Sequence, residues 1–274
     1  MKIAFSPCPN DTFVFHAWVH GLIPGAPPLD VMYADIDVTN HLAAGPNGLD
    51  VMKISYAALP WVLKDYALVP CGGALGRGNG PLVLSRQSED PATLAGKRIA
   101  VPSERSTAYL LFRLWAAQHA KGALDIVVMP FHEIMPAVRD GSIDAGLVIH
   151  EARFTYPSYG LTKLADLGEW WEADTGLPIP LGAIVARRSL DRDAIAGWAR
   201  ASVEYAWAHP EASRAYVAEH AQEMDPDVAK SHIDLYVNDF TANLGEEGFA
   251  AVDSLLGRAA KEGLVPAFDL AALR

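Results

Sequence analysis

The chain of 274 residues has only two cysteines, Cys8 and Cys71. Two thiols are too few for a disulfide framework, and reduced thiols are expected. Basic residues are also in deficit: 22 Lys and Arg stand against 33 Asp and Glu, a formal net charge of -11. A general nucleic-acid binder normally carries a basic face, so no nucleic-acid partner is expected. Any anionic ligand must then be held by local features, because the field of the whole molecule opposes it. No apolar run is long enough to span a bilayer, and Met1-Lys2-Ile3-Ala4-Phe5 enters a strand pattern without a signal-peptide core. We therefore expect a cytoplasmic protein with no membrane contact.

Several chemical signatures are missing as well. The glycine-rich stretch lacks the Gly-Lys-Ser/Thr ending of a phosphate loop, and no Gly-x-Ser-x-Gly elbow occurs. The pairs His16/His20 and His132/Glu133 have no third ligand at a persuasive spacing, so no metal is assigned. Nothing marks Cys8 as a nucleophile beyond its place in a turn. No internal repeat stands out, and no signal sets an oligomeric state.

What is present is an ordinary globular composition, 51% hydrophobic and 20% charged, long enough for one large or two modest domains. Lys2 to Ser6 reads as a strand. The rigid turn Ser6-Pro7-Cys8-Pro9-Asn10-Asp11 follows, with Asn10 or Asp11 capping a helix over Thr12 to His20. Leu29 to Ala34 is a strand, and Asp37 caps a short helix. Asp50 to Ile54 is a strand, and Ser55 caps a helix over Tyr56 to Lys64. This alternation is the pattern of a parallel sheet covered by helices.

Residues 71–80 hold five glycines, which mark a loop of unusual backbone angles or close ligand approach; a plain surface loop is the alternative. A second alternating block starts at Pro91. It has strands at Lys97 to Val101 and Leu124 to Met129, a helix opening at Ser106-Thr107, and a helix over Glu133 to Arg139. The apolar segments PLVLSR at 81–86 and PLGAIVAR at 180–187 bracket this block. We read them as crossovers, so domain 1 comprises residues 1–86 and 181–274, and residues 87–180 are an inserted domain 2. From Leu190 onward the pattern is helical. The segment Ser231 to Phe240 is helix-compatible; it either packs or reaches the site.

The central stretch is Gly141 to Gly160. Ile143 to Ile149 reads as a short buried strand, and His150 and Glu151 sit at its carboxyl end. Ligands of open α/β sheets bind just outside the carboxyl ends of strands, where a histidine is placed for proton chemistry. The alternative is a histidine satisfied by its neighbours. Glu151 points to the opposite face of the strand and would pair with Arg153 or another basic group. Two hydroxyl clusters, Ser55 after Lys53 and Ser106-Thr107, each open a helix, one in each proposed domain. Helix N-termini present unpaired N–H groups and a positive dipole end, so the pair would form a pincer for a carboxylate. Simple caps are the alternative.

The segments SPCPNDTFVF (6–15), KISYAA (53–58), GGALGRGNGPLV (72–83), GLVIHEARFTYPSYGL (146–161), DLGEWWEADTGLPIPLGAI (166–184) and LYVNDFTANLGEEG (235–248) together resemble the 1,4-dihydroxy-6-naphthoate synthase family of the futalosine route to menaquinone. The resemblance runs over nearly the whole chain. It implies an α/β fold like the type II periplasmic binding proteins: two domains, each a mixed sheet flanked by helices, with the active site in the cleft between them. It also implies a carbon–carbon lyase that needs no cofactor and acts on a small carboxylate, cyclic dehypoxanthinyl futalosine. The products are 1,4-dihydroxy-6-naphthoate and dihydroxyacetone. His150 is then the catalytic proton acceptor. Lys53, Ile54, Ser55, Thr107 and Ala108 bind substrate, and we count Ser106, Asn10 and Asp11 with them. Ser103 and Ser106 stand where the family often has Gly and Thr. Rival readings are a chorismate dehydratase of the same route, a solute-binding protein, and an effector-sensing domain.

Overall fold

A computed structural model describes residues 1–274 apart from 79, 88, 89, 121, 151 and 222–224. Among the described residues the first strands are β1 (Lys2–Phe5), β2 (Asp30–Tyr33), β3 (Val51–Ser55), β4 (Tyr66–Gly76) and β5 (Leu82–Ser85). The others are β6 (Arg98–Val101), β7 (Asp125–Val128), β8 (Ala145–Val148), β9 (Thr162–Asp166) and β10 (Ile179–Arg187). The helices begin with α1 (Pro9–Val19), α2 (Ile36–Ala44), α3 (Leu59–Val62), α4 (Thr107–His119), α5 (Phe131–Asp140) and α6 (Ala152–Thr155). They continue with α7 (Leu167–Thr175), α8 (Arg192–Ala208), α9 (Arg214–His220), α10 (Pro226–Tyr236), α11 (Asp239–Ala242) and α12 (Gly245–Lys261).

The chain divides into two units, Met1–Gly76 with Pro180–Arg274, and Arg77–Ile179. The division falls before the PLVLS segment, not after it. That segment is β5, whose two edges pair antiparallel with β8 and β9 of the second unit.

Each unit is built on one mixed sheet. The first has strand order β2-β1-β3-β10-β4, and the second β7-β6-β8-β5-β9. In the first, β2 and β3 run parallel to β1, with Ile3 opposite Val51, and β10 returns antiparallel with Gly182 opposite Ser55. In the second, β7 and β8 run parallel to β6, with Ile99 opposite Ala145, and β5 is antiparallel. The two sheets thus repeat one plan: three parallel strands in the order second-first-third, then an antiparallel strand. Strands joined by helices pack that way because the crossover covers one face of the sheet.

The core of the first unit gathers around β1 and α1. Phe5 and Phe15 stack at 4.8 Å, and α8 closes the layer with Ala199 and Val203. The core of the second unit sets Ile134 and Val138 of α5 against the sheet. Here Gly146 in β8 has a defined purpose. A Cβ at that position would meet Ile134 Cγ2 at 2.4 Å, so only glycine lets α5 lie this close to the strand.

The glycine-rich stretch is only partly a loop. Residues Cys71–Gly76 finish β4 and are buried, while Arg77 and Gly78 are exposed. Glycine lowers strand propensity, so composition alone reads as irregular where sheet pairing prevails. Asn79 lies outside the described residues.

Candidate functional site

In each unit the expected site residues lie at the carboxyl ends of two neighbouring parallel strands. In the first unit these are β1, which leads into α1, and β3, which ends on Ser55. In the second they are β6, which leads to α4, and β8, which leads to His150. This is the edge of an α/β sheet at which ligands bind.

In the first unit, Asn10 and Asp11 are not caps. Helix α1 starts earlier, at Pro9, because proline needs no N–H partner and its fixed φ suits the first helical position. Asn10 and Asp11 therefore fall in the first turn, and both are buried. Asp11 accepts a hydrogen bond from Ser6 N (3.3 Å) and one from Asn10 Nδ2 (2.7 Å), and it forms an ion pair with Lys53 of β3. The structure thus brings Asn10 and Lys53 each into direct contact with Asp11. It also changes the reading of Lys53, whose charge is compensated internally by Asp11.

The network continues to His232 on α10, wholly buried, whose Nε2 lies 3.0 Å from Asn10 Oδ1. An ionised carboxylate only accepts, so Asn10 must turn its NH₂ to Asp11 and its oxygen to His232. His232 Nε2 therefore carries a proton. The 231–240 segment joins the site by this bond, and a pattern mixing polar and aromatic residues did not reveal it.

Ser55 is not a side-chain cap either. After it come a 3-10 turn over Tyr56–Ala58 and the single turn α3. Ser55 is instead gripped by Asn40 of α2, fully buried. Ser55 N donates to Asn40 Oδ1 at 2.7 Å, and Asn40 Nδ2 donates to Ser55 Oγ at 3.0 Å. In that bond the Ser55 hydroxyl acts as acceptor, which does not use its own hydrogen. Ile54 is buried in the strand. Asn40 was missed because nothing fifteen residues upstream of a serine signals a bond to it.

In the second unit, Ser106 is a true cap. Its Oγ accepts from Tyr109 N (3.1 Å) and donates to Ser103 O (3.0 Å). Its single hydrogen is thereby used, so Ser106 has no donor left for a ligand. Thr107 and Ala108 are the first two residues of α4 and are buried.

His150 follows the end of β8. Among the described residues it is the one non-glycine residue with a positive φ, 53°. Its ring meets Phe131 edge-on at 5.7 Å. Arg153, three residues on, makes an ion pair with Asp166 (2.5 Å) and donates to Gly80 O (2.9 Å). Glu151, the expected partner of Arg153, lies outside the described residues. Cys71 donates to Ala196 O, and burial pushes its thiol up to about 11, far from nucleophilic use.

A family profile described as menaquinone biosynthesis matches residues 1–261. The chain belongs to this menaquinone-biosynthesis family. A protein of Streptomyces coelicolor named 1,4-dihydroxy-6-naphtoate synthase is 68% identical, over 100% of this chain and 97% of its own. One of Thermus thermophilus with the same name is 45% identical, over 96% and 95%. Among solved structures, protein AF1704 of Archaeoglobus fulgidus superposes with a TM-score of 0.88 at 33% identity, over 96% of this chain and 98% of that one. The periplasmic aliphatic sulphonate binding protein SsuA of Escherichia coli reaches 0.69 at 15% identity, over 99% and 90%, a likeness of fold. The fold is thus the expected periplasmic-binding-protein-like one, on an enzyme family of menaquinone biosynthesis. No described helix is long and apolar enough to cross a membrane.

Proposed function

We propose that the chain is a 1,4-dihydroxy-6-naphthoate synthase that acts in the cytoplasm as a carbon–carbon lyase and requires no cofactor. Its substrate is cyclic dehypoxanthinyl futalosine, and it releases 1,4-dihydroxy-6-naphthoate and dihydroxyacetone. The full-length likeness to two proteins bearing that enzyme name supports the reading. The observation that carries the mechanism is the position of His150 just past the carboxyl end of β8, the strand that pairs with β6.

In this proposal Ser55, Thr107 and the N–H groups at the start of α4 donate hydrogen bonds to the substrate carboxylate. Hydrogen bonds to a charged group are the strong ones, and a helix N-terminus favours negative charge. Lys53, paired to Asp11, shapes this site without adding net charge to it. His150 takes a proton from the non-aromatic part of the substrate. The carbon–carbon bond then breaks, and the electron pair released completes the aromatic ring. Aromatisation drives the step, so what the enzyme must supply is a placed base.

The test is incubation of purified protein with the cyclic substrate, following naphthoate and dihydroxyacetone by mass. Equal formation of both supports the proposal. Binding without turnover would leave a carboxylate binder, and turnover of chorismate would make the chain a dehydratase of the same route.

A further inference from the structure

We propose that Arg153 and Asp166 are positioning residues that hold His150 in its left-handed conformation. The inference rests on the reading of His150 as the base. A histidine at φ 53° is strained, and such a residue persists only where its surroundings over-determine it. Arg153 supplies that constraint at both of its ends. Its backbone N–H donates to His150 O at 3.3 Å, tying the turn to the first residues of α6. Its guanidinium spans two fixed points, Gly80 O at 2.9 Å and Asp166 Oδ2 at 2.5 Å.

Neither fixed point can yield. The Asp166 side chain is 0% exposed, and its other oxygen accepts from Gly168 N (2.9 Å) and Glu169 N (3.2 Å) at the start of α7. Gly80 lies against Gly168 so closely that a Cβ on it would sit 2.1 Å from Gly168 N. Leu167 N donates to Pro81 O at 2.9 Å and closes the same junction. The guanidinium thus connects the His150 turn to a rigid seam between the chain entering β5 and the chain leaving β9. A planar fork can bridge a carboxylate and a carbonyl together; an ammonium cannot reach both with the same geometry.

A purely structural ion pair makes a different prediction from a positioning one, and a mutant cycle separates them. Arg153→Met is expected to lower kcat about 10²-fold, the scale of a misplaced catalytic group, with KM within about threefold. Arg153→Lys should regain part of the loss. In a His150→Asn background, Arg153→Met should cost no more than about twofold further, because the group it positions is gone. Asp166→Asn keeps an acceptor for the α7 cap and removes the charge; it should show the same cycle and serves if Arg153→Met does not fold. An equal loss in both backgrounds, or a raised KM with kcat unchanged, overturns the inference. A second readout stands apart from the identity of the base: the His150 imidazole NMR signal, assigned by its loss in His150→Asn. It should shift or broaden in Arg153→Met and return towards wild type in Arg153→Lys. If His150→Asn turns over like wild type, the base reading fails, and this signal alone judges positioning; a signal unmoved by Arg153→Met overturns it.

Discussion

Lys53 and Asp11 meet as an ion pair with both side chains almost wholly buried, 5% and 3% exposed. They come from different elements, the middle of β3 and the first turn of α1. Removing one partner leaves the other charge without compensation in the interior, which costs about 3–5 kcal/mol. Lys53→Met should therefore lower the denaturation midpoint strongly. The double variant Lys53→Met/Asp11→Asn should recover much of the loss. If the single variant melts like wild type, the pair does not contribute as its burial implies.

His150→Asn keeps a polar, hydrogen-bonding side chain and removes the base. Turnover should fall by roughly 10²–10⁴, with substrate affinity within about tenfold. The check is steady-state kinetics with a parallel binding titration. A variant within a few-fold of wild type places the base elsewhere, and Asp11 and His16 are then next.

Ser55→Ala and Thr107→Ala should each weaken substrate binding by roughly 1–3 kcal/mol, the range for a hydrogen bond to a charged group. An analogue without the carboxylate should not notice either change. Calorimetry on the two ligands decides it: equal losses for both would mean that these hydroxyls hold some other part of the substrate.

The acid side of the stability profile should depend on His16. Burial, then the neighbouring His20, lowers its pKa below the ordinary 6.5, and its ring lies 4.4 Å from that of His20 and 5.6 Å from that of Tyr216. The unfolded chain then takes up a proton more readily than the folded one. Stability is complete above 6.5 and declines as pH falls through the lowered value. Urea unfolding at several pH values should show a shallower acid decline in His16→Phe than in wild type. Parallel profiles would remove His16 from the account.

Two glycines should respond oppositely to alanine. Gly197 lies exposed within α8, and a Cβ added there would meet no heavy atom within 4 Å, so Gly197→Ala should stabilise by about 0.5–1 kcal/mol. Gly80→Ala would drive a methyl into the Gly168 backbone and should destabilise. Melting temperatures of the two variants, measured side by side, should move apart in sign.

Much of this protein is written in short-range pattern. The alternation of apolar strands with helices, the buried run ending at His150 and the serine that caps α4 follow from local propensity and capping chemistry, which a linear reading captures. The family likeness, carried by contiguous motifs, is of the same kind. Tertiary structure alone decided where the polar groups go. Asn10 and Asp11 look like caps from their neighbours, yet Pro9 starts the helix and Lys53 and His232 claim them from other elements. Ser55 looks like a cap, yet Asn40 holds it. PLVLS looks like an exit from the first domain, yet its edges are satisfied by β8 and β9. In each case a buried polar group or strand edge must find a partner, and that partner is distant in the chain, where no local rule reaches.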